Sequence, residues 1–183
     1  MRNEVFPEVK TRSKTHLQMK IESSFINSVG EKVPVVYQDI LTPELGGRLV
    51  QAVHAFCFYK ESFLVVFDHK KGCWTPPGGR VEVGETINKA VEREVMEESN
   101  MIVLEQATLG FQDIIEASGI ITQVRSVCVV EPIGPFVIDP DGDISEIKLI
   151  DPSEFKEYFD WGAVGDHLME RAIAWRNSLN NRE

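Results

Sequence analysis

The chain has 183 residues, of which 43% are hydrophobic, and it carries a formal net charge of −10. This length supports one domain with a sizeable core and leaves little room for a second. The acidic balance opposes non-specific binding to nucleic acid or to an anionic membrane, so an anionic substrate would need a metal ion or a few placed basic side chains.

The cellular compartment is predicted from the first residues and the cysteines. The polar start of the chain does not resemble a secretory signal, and no apolar run reaches membrane-spanning length. Cys57, Cys73 and Cys128 form no C-x-x-C pair, so we expect reduced thiols rather than disulfides or a zinc site. These features favour the cytoplasm.

The first 45 residues are the hardest to interpret. Residues 17–21 alternate as in a strand, and residues 33–37 form a short extended candidate. We interpret residues 1–45 as an N-terminal extension that packs on the domain or on a second subunit, which would make the protein a homodimer. A mobile tail is the alternative. Residues 46–183 are assigned to a single domain.

Two strands follow this extension. Residues 49–59 and 63–67 are rich in β-branched and aromatic side chains and are separated by a short turn. His54 lies in the first strand, and its two interpretations are a catalytic base and a packed, hydrogen-bonded histidine. The aromatic neighbours favour the packed histidine.

The second half of the chain is predicted to contain a hairpin, a strand and a helix. Residues 102–115 and 120–130 form the hairpin, with Gly110 as a bulge. Residues 143–150 form a short strand. Residues 163–179 form a closing helix whose apolar stripe is most simply core packing.

Between the two halves lies a segment, residues 79–101, that begins as a glycine-rich loop and ends as an acidic helix. At helical spacing, Glu94, Glu97 and Glu98 share one face. The same face is apolar in the preceding turns, at Ile87, Ala90 and Val91. Carboxylates crowded on a partly buried face repel one another unless a cation joins them, and Mg²⁺ prefers such oxygen ligands. An exposed helix flank is the alternative for these glutamates.

This segment resembles the Nudix hydrolase signature, in which a glycine, five residues and a glutamate precede seven residues and Arg-Glu-apolar-x-Glu-Glu-x-Gly-apolar. The matching positions are Gly79, Glu85, Arg93, Glu94, Val95, Glu97, Glu98 and Met101. Asn100 replaces the last glycine, and Asn is the residue that best tolerates left-handed backbone after glycine. Residues 74–79 also resemble the W-x-x-P-G-G approach often found before the signature.

The resemblance implies an α+β fold, the family's α/β/α sandwich with mixed β-sheets, over roughly residues 49–179. The implied reaction is Mg²⁺-dependent hydrolysis of the phosphoanhydride bond of a nucleoside diphosphate linked to another group, with Mn²⁺ as a substitute ion. A nucleoside triphosphate or a nucleotide sugar would be such a substrate. The alternatives are a catalytically inactive nucleotide-binding regulator of the same fold and a diphosphate isomerase.

The resemblance also implies roles for individual residues. Metal ligands would be Glu94, Glu97, Glu98 and the carbonyl of Gly79. Arg93 is expected to orient the glutamates with Glu85 as its partner. Candidate substrate-binding residues are Gly78, Gly79 and Arg125, although a surface position for Arg125 is favoured. The general base would be a signature glutamate, Glu146, Asp143 or Glu116.

Overall fold

The computed structural model describes residues 19–27, 29–39, 48–137, 140 and 142–180. Eight strands form one sheet: β1 (Lys20–Ile26), β2 (Lys32–Asp39), β3 (Val50–Tyr59), β4 (Ser62–Asp68), β5 (Cys73–Thr75), β6 (Met101–Glu116), β7 (Gly119–Pro132) and β8 (Ile144–Ile150). The helices are α1 (Ile87–Ser99), a 3₁₀ helix (Pro152–Glu157) and α2 (Gly162–Asn180). Within the described part of the chain, no helix is long and apolar enough to cross a membrane.

The sheet is mixed, as the sequence predicted. Its order is β1-β2-β6-β7-β3-β4-β5, and β8 pairs with β4. The β3–β7 pair is parallel, whereas the other strand pairs of the described residues are antiparallel. A parallel pair requires a crossover connection, and α1 lies in the chain between these two strands.

The helices α1 and α2 lie on opposite faces of the sheet. The side chains of β3 show this, since they point alternately to the two faces. Val53, Ala55 and Cys57 pack in one apolar cluster with the buried residues of α1. Phe56 and Phe58 belong to a second cluster, which contains the buried residues of α2. The molecule is therefore an α/β/α sandwich, and the predicted fold class is confirmed.

The β6–β7 hairpin matches the predicted hairpin closely, and its register shifts between Thr108 and Gly110. A Cβ on Gly110 would lie 2.4 Å from the Tyr37 hydroxyl oxygen and equally close to the Gln38 carbonyl oxygen. The bulge glycine is required because β2 passes directly beside it.

The first two strands extend the sheet beyond β6, since β2 pairs with residues 110–114 of that strand. Residues 20–26 and 32–39 thus belong to the same sheet as the rest of the chain. Residues 1–18 and 40–47 lie outside the described residues, so the division of the chain at residue 45 stays a prediction.

A buried carboxylate joins these strands to the last helix. Asp39, at the end of β2, accepts a hydrogen bond of 2.9 Å from the Tyr37 hydroxyl, and His167 Nε2 lies 2.9 Å from the same oxygen. Arg171 of α2 also forms an ion pair with Asp39. Burial alone would raise the pKa of Asp39, but its hydrogen bonds with His167 and Tyr37 and the charge of Arg171 lower it on balance.

Candidate active site

The acidic helix begins and ends where its local sequence predicts. The Thr86 side chain caps α1 by accepting from the Lys89 N–H at 3.3 Å. Asn100 ends the helix in left-handed backbone, with φ of 56° and ψ of 39°, and its N–H donates to the Met96 carbonyl at 2.9 Å. The Asn100 side chain donates to the Pro135 carbonyl, which a glycine could not do.

The signature glutamates are packed against the molecule. Glu94 is only 8% exposed, and Glu97 and Glu98 are partly buried. The alternative of an exposed helix flank is therefore wrong for Glu94. Burial raises the pKa of Glu94, although the neighbouring Arg93 opposes that change.

Arg93 lies among three of the acidic side chains. Its Nε and Nη2 atoms donate to the two carboxylate oxygens of Glu85 at 3.0 Å each, a bidentate pair. Its Nη1 donates to Glu94 at 2.8 Å and to Glu97 at 3.1 Å, and Nη2 also donates to the Arg80 carbonyl. The predicted Arg93–Glu85 contact is thus present. It lowers the pKa of Glu85, and Glu85 in turn raises the pKa of Arg93.

The loop before the helix pairs with the edge of β3. Val53 N–H donates to the Gly79 carbonyl at 2.9 Å, and Ala55 N–H donates to the Pro77 carbonyl at 2.8 Å. The Gly78 N–H then donates to Glu98 Oε2 at 2.8 Å. These bonds fix the position of the loop relative to both the sheet and the acidic helix.

A glycine is required more strictly at Gly78 than at Gly79, because backbone surrounds Gly78 whereas the atoms nearest to Gly79 belong to the end of the Glu94 side chain. A Cβ on Gly78 would lie 2.2 Å from the Val53 carbonyl oxygen and 2.7 Å from the His54 Cα. A Cβ on Gly79 would lie 2.5 to 2.6 Å from the carboxylate atoms of Glu94. The backbone at Gly79 thus forms the surface on which the Glu94 carboxylate rests.

The donor atoms of this cluster suit a hard divalent cation, since they are carboxylate and carbonyl oxygens. Within the described residues, however, no group of three His, Cys, Asp or Glu side chains is arranged to hold a metal ion. Arg93 binds one oxygen of Glu94 and one of Glu97. The Gly79 carbonyl oxygen accepts a hydrogen bond from Val53 N–H, which leaves one of its two lone pairs for an ion. The residue types fit Mg²⁺, and Glu94 and Glu97 each keep one carboxylate oxygen that Arg93 does not bind.

A cavity of about 540 Å³ opens on the other face of the sheet, beside the start of α2. It is lined by residues from β1, β2, β3, β5, β6 and β7, the segment after the 3₁₀ helix, and α2. Its most distinctive side chains are His54, Lys71, Trp74, Gln112, Gln123, Arg125, Asp160 and Trp161. This size and this mixture of aromatic and polar walls are typical of small-molecule sites.

Gly78 connects the cavity to the acidic helix. Trp74 and Thr75 line the cavity and lead directly into the loop at Gly78. The Gly78 backbone packs closely against the backbone of Val53 and His54, and its N–H binds Glu98. The loop thus joins the cavity lining at Trp74 and Thr75 to the Glu98 carboxylate of the acidic helix.

The favoured surface position of Arg125 is wrong. The side chain is 3% exposed, and its guanidinium lies 4.8 Å from the centre of the Trp161 ring. It donates to His54 Nδ1 at 2.7 Å and to Gln123 Oε1 at 2.8 Å. The interpretation of His54 as a packed, hydrogen-bonded histidine is confirmed, since its ring also stacks edge-on against Trp161.

Several cavity residues were missed in the sequence. Trp161, Gln112, Gln123 and Ser23 belong to no motif, and their shared site depends on contacts between distant segments. The alternation of β7 placed Gln123 and Arg125 on one face of a strand. The alternation does not indicate which residues cover that face.

The three base candidates outside the signature lie in different surroundings. Glu116 is at the turn of the β6–β7 hairpin and accepts from the Ser118 hydroxyl. Asp143 pairs with Lys70, and Glu146 is an exposed residue of β8. The choice of general base stays open among these residues and the signature glutamates.

The family of the chain follows from this arrangement and from its relatives. The family model of the NUDIX domain matches residues 48–172, and the protein belongs to this family. An ADP-ribose pyrophosphatase of Methanocaldococcus jannaschii is 32% identical over 113 residues. The alignment covers 58% of this chain and 61% of that relative, so it spans less than two thirds of the relative's length.

Solved structures share the fold. The Bacillus subtilis pyrophosphohydrolase BsRppH superposes with a TM-score of 0.57 at 19% identity, covering 70% of this chain and 77% of that one. The NUDIX domain of Shewanella oneidensis NrtR, in complex with ADP ribose, gives a TM-score of 0.54 at 17% identity, covering 73% and 92%. These similarities support the α/β/α architecture described above.

Proposed function

We propose that the protein is a Mg²⁺-dependent hydrolase that cleaves the phosphoanhydride bond of a nucleoside diphosphate linked to another group. ADP-ribose, nucleoside triphosphates and nucleotide sugars are substrates of this class. The observation that carries the proposal is the loop at Gly78. Its N–H binds Glu98, beside the three acidic side chains that Arg93 contacts, and it follows directly on Trp74 and Thr75 of the cavity lining. The named relative, an ADP-ribose pyrophosphatase, supports the same class.

Glu94, Glu97, Glu98 and the Gly79 carbonyl would hold the ion. Bound Mg²⁺ neutralises diphosphate charge and lowers the pKa of a coordinated water. Arg93 would hold the loop against the helix through its bidentate hydrogen bonds to Glu85. These bonds do not involve Glu94 or Glu97, so they would remain when those two residues bind the ion. A carboxylate of the cluster or of a neighbouring loop would accept the proton of the attacking water.

The loop would position the phosphates. The lack of a side chain at Gly79 would let its backbone and the Glu94 carboxylate lie together beside the diphosphate. The cavity would hold the nucleoside, with Trp74 and Trp161 as aromatic walls. Mn²⁺ would serve as a substitute ion, because it accepts the same oxygen ligands.

A test compares hydrolysis of ADP-ribose, nucleoside triphosphates and nucleotide sugars with Mg²⁺ and with a chelator. Glu97→Gln and Glu98→Gln are each expected to lower kcat/KM by about a hundredfold or more, because each removes a charged ligand. Glu92→Gln is the matched control, since Glu92 lies on the same helix but pairs with Lys89. Its activity should stay within about twofold of the original.

Activity that persists without a divalent ion, or that both substitutions leave unchanged, would refute the mechanism. Release of two phosphorylated products distinguishes hydrolysis from isomerisation, which leaves the diphosphate intact.

A second candidate is a nucleotide-binding protein without hydrolytic activity. The placement of Arg93 favours it, because the carboxylates of Glu85, Glu94 and Glu97 already have a cationic partner. Tight nucleotide binding with no Mg²⁺-dependent turnover of any compound in the panel would support this candidate over the hydrolase.

A further inference from the structure

The buried guanidinium of Arg125 has only neutral partners within the described residues. Its hydrogen bonds go to the His54 ring and the Gln123 amide, and no ion pair of the described side chains includes it. Its Nε–H is buried with no acceptor. A buried cation without a carboxylate is costly, and the cost falls when a ligand supplies acceptor atoms.

His54, which accepts a hydrogen bond from Arg125, is a second hydrogen-bond donor among the residues that line the cavity. Arginine can only donate, so His54 Nδ1 must be the acceptor, and the ring proton is on Nε2. Burial and the nearby charge of Arg125 lower the pKa of His54 well below its usual value, which keeps the ring neutral. Burial likewise lowers the pKa of Arg125 to about 9, so it is still charged at neutral pH.

Asp160 supplies hydrogen-bond acceptors in the same cavity. Its Oδ1 accepts from the Gly162 N–H at 2.8 Å, and the carboxylate has further lone pairs for a ligand N–H. The aromatic rings of Trp74 and Trp161 are also part of the lining. A flat ligand with acceptors on one edge and an adjacent ring N–H matches this set of groups.

We propose that Arg125 is a specificity-determining residue that selects a 6-oxopurine base, such as guanine or hypoxanthine, over adenine. This inference rests on the proposed function, because it assigns the nucleoside end of the same substrate. A 6-oxopurine presents O6 and N7 as acceptors, the pair that an arginine fork binds best. It also carries an N1–H that a carboxylate accepts, whereas adenine has a 6-amino donor and an unprotonated N1.

Neighbouring groups favour the same choice. Lys71 lines the cavity as another donor, although its ammonium is paired with Asp68 at 2.5 Å. The amino group of adenine would meet donors at Arg125 and leave their N–H groups unpaired. A site with buried polar groups discriminates strongly against a ligand that leaves them unsatisfied.

Equilibrium binding of four nucleoside monophosphates tests the proposal. The probes are GMP, IMP, AMP and the monophosphate of 2-aminopurine riboside, which lacks both the O6 and the N1–H of GMP. GMP and IMP should bind at least about tenfold more tightly than the other two, as expected for one bidentate contact to a base. These compounds have no anhydride bond, so the result does not depend on catalysis.

The variants Arg125→Met and Arg125→Lys locate the source of the preference. Both should reduce it to within about threefold, because methionine cannot donate and lysine lacks the planar fork. Arg176→Lys is the matched control, since Arg176 also stacks on an aromatic ring, at 4.9 Å from the centre of Phe58, but does not line the cavity. It should leave the preference unchanged. Thermal unfolding verifies that each variant is folded.

The proposal is overturned if the unmodified protein binds AMP as tightly as GMP, or binds none of the four at millimolar concentration. It is also overturned if both Arg125 variants keep the full preference. Mg²⁺-dependent hydrolysis without a base preference would refute this inference alone. Hydrolysis that ignores the metal and the signature glutamates would refute the proposed function instead.

Discussion

The two faces of the sheet carry chemistry of different origin. On the face of α1, the acidic cluster comes from one continuous segment, residues 79–98, whose helical spacing brings the carboxylates together. On the face of α2, the cavity draws residues from Ser23 to Val164. The comparison suggests that the reaction is encoded locally, whereas the choice of substrate depends on the assembled fold.

The two sites differ because their contacting residues lie close together in the sequence in one case and far apart in the other. Arg93 reaches Glu85, Glu94 and Glu97 within a single loop and helix, so local geometry suffices. Arg125 and Trp161 meet only after the sheet and the C-terminal region have packed together. Substitutions at residues that join or separate the two faces can test the contrast.

The largest effect is expected where the two faces meet. Gly78→Ala should lower the free energy of unfolding by about 3 kcal/mol, because its Cβ would overlap backbone atoms of Val53 and His54 that cannot turn aside. Gly84→Ala is the control: Gly84 has a φ of 82° but open space around it, so only backbone strain of about 1 kcal/mol is expected. Chemical denaturation measures both values. Equal losses would show that the close approach at Gly78 is unimportant.

The next effect concerns the attachment of α2 to the sheet. Asp39→Asn should destabilise the protein by about 2 kcal/mol at pH 7, because His167 and Arg171 lose a charged partner. The folded pKa of Asp39 lies below the unfolded value, which is roughly 3.9. The stabilisation by the carboxylate is therefore complete above that value and is lost as the pH falls through the folded pKa.

Urea denaturation of both proteins from pH 7 down to pH 3 measures this difference. A gap between the two proteins that stays constant over the whole range would contradict the assigned role of the Asp39 charge.

A smaller effect is expected at the edge of the cavity. Ser23→Trp should raise KM about tenfold with little change in kcat, because the ring occupies ligand volume and leaves the acidic cluster intact. Glu22→Trp is the control, since Glu22 is the neighbouring exposed residue of β1 and does not line the cavity. Steady-state kinetics on the best substrate of the panel separates the two constants. A fall in kcat alone would contradict the assignment of this wall to substrate binding.

The smallest effect is expected at the end of α1. Asn100→Gly should change stability by no more than about 0.5 kcal/mol, because relief of left-handed backbone offsets the lost hydrogen bond to Pro135. Asn100→Val should cost more than 1 kcal/mol, roughly the penalty of a β-branched residue in that conformation. Thermal unfolding of the two variants measures the contrast. Equal stability of the two would mean that the backbone conformation at residue 100 is not constrained.

The structure around α1 was predicted well from the sequence, because it depends on contacts between residues that are close in the chain. Thr86 caps the helix, Asn100 ends it, and Arg93 contacts Glu85, all within a few turns of one another. The strands themselves were predicted, and alternation assigned Arg125 to a strand face. Its burial was missed because Trp161 and the first strands cover it, and a pattern along β7 contains no information about those distant segments.

The pairing of the loop with β3 also covers a strand edge. The N–H groups of Val53 and Ala55 would form an open strand edge if they did not donate to the carbonyls of Gly79 and Pro77. Open edges recruit strands from other molecules and start aggregates. The loop that carries Pro77 and Gly79 thus shields this edge, and a variant that detaches the loop should lose solubility.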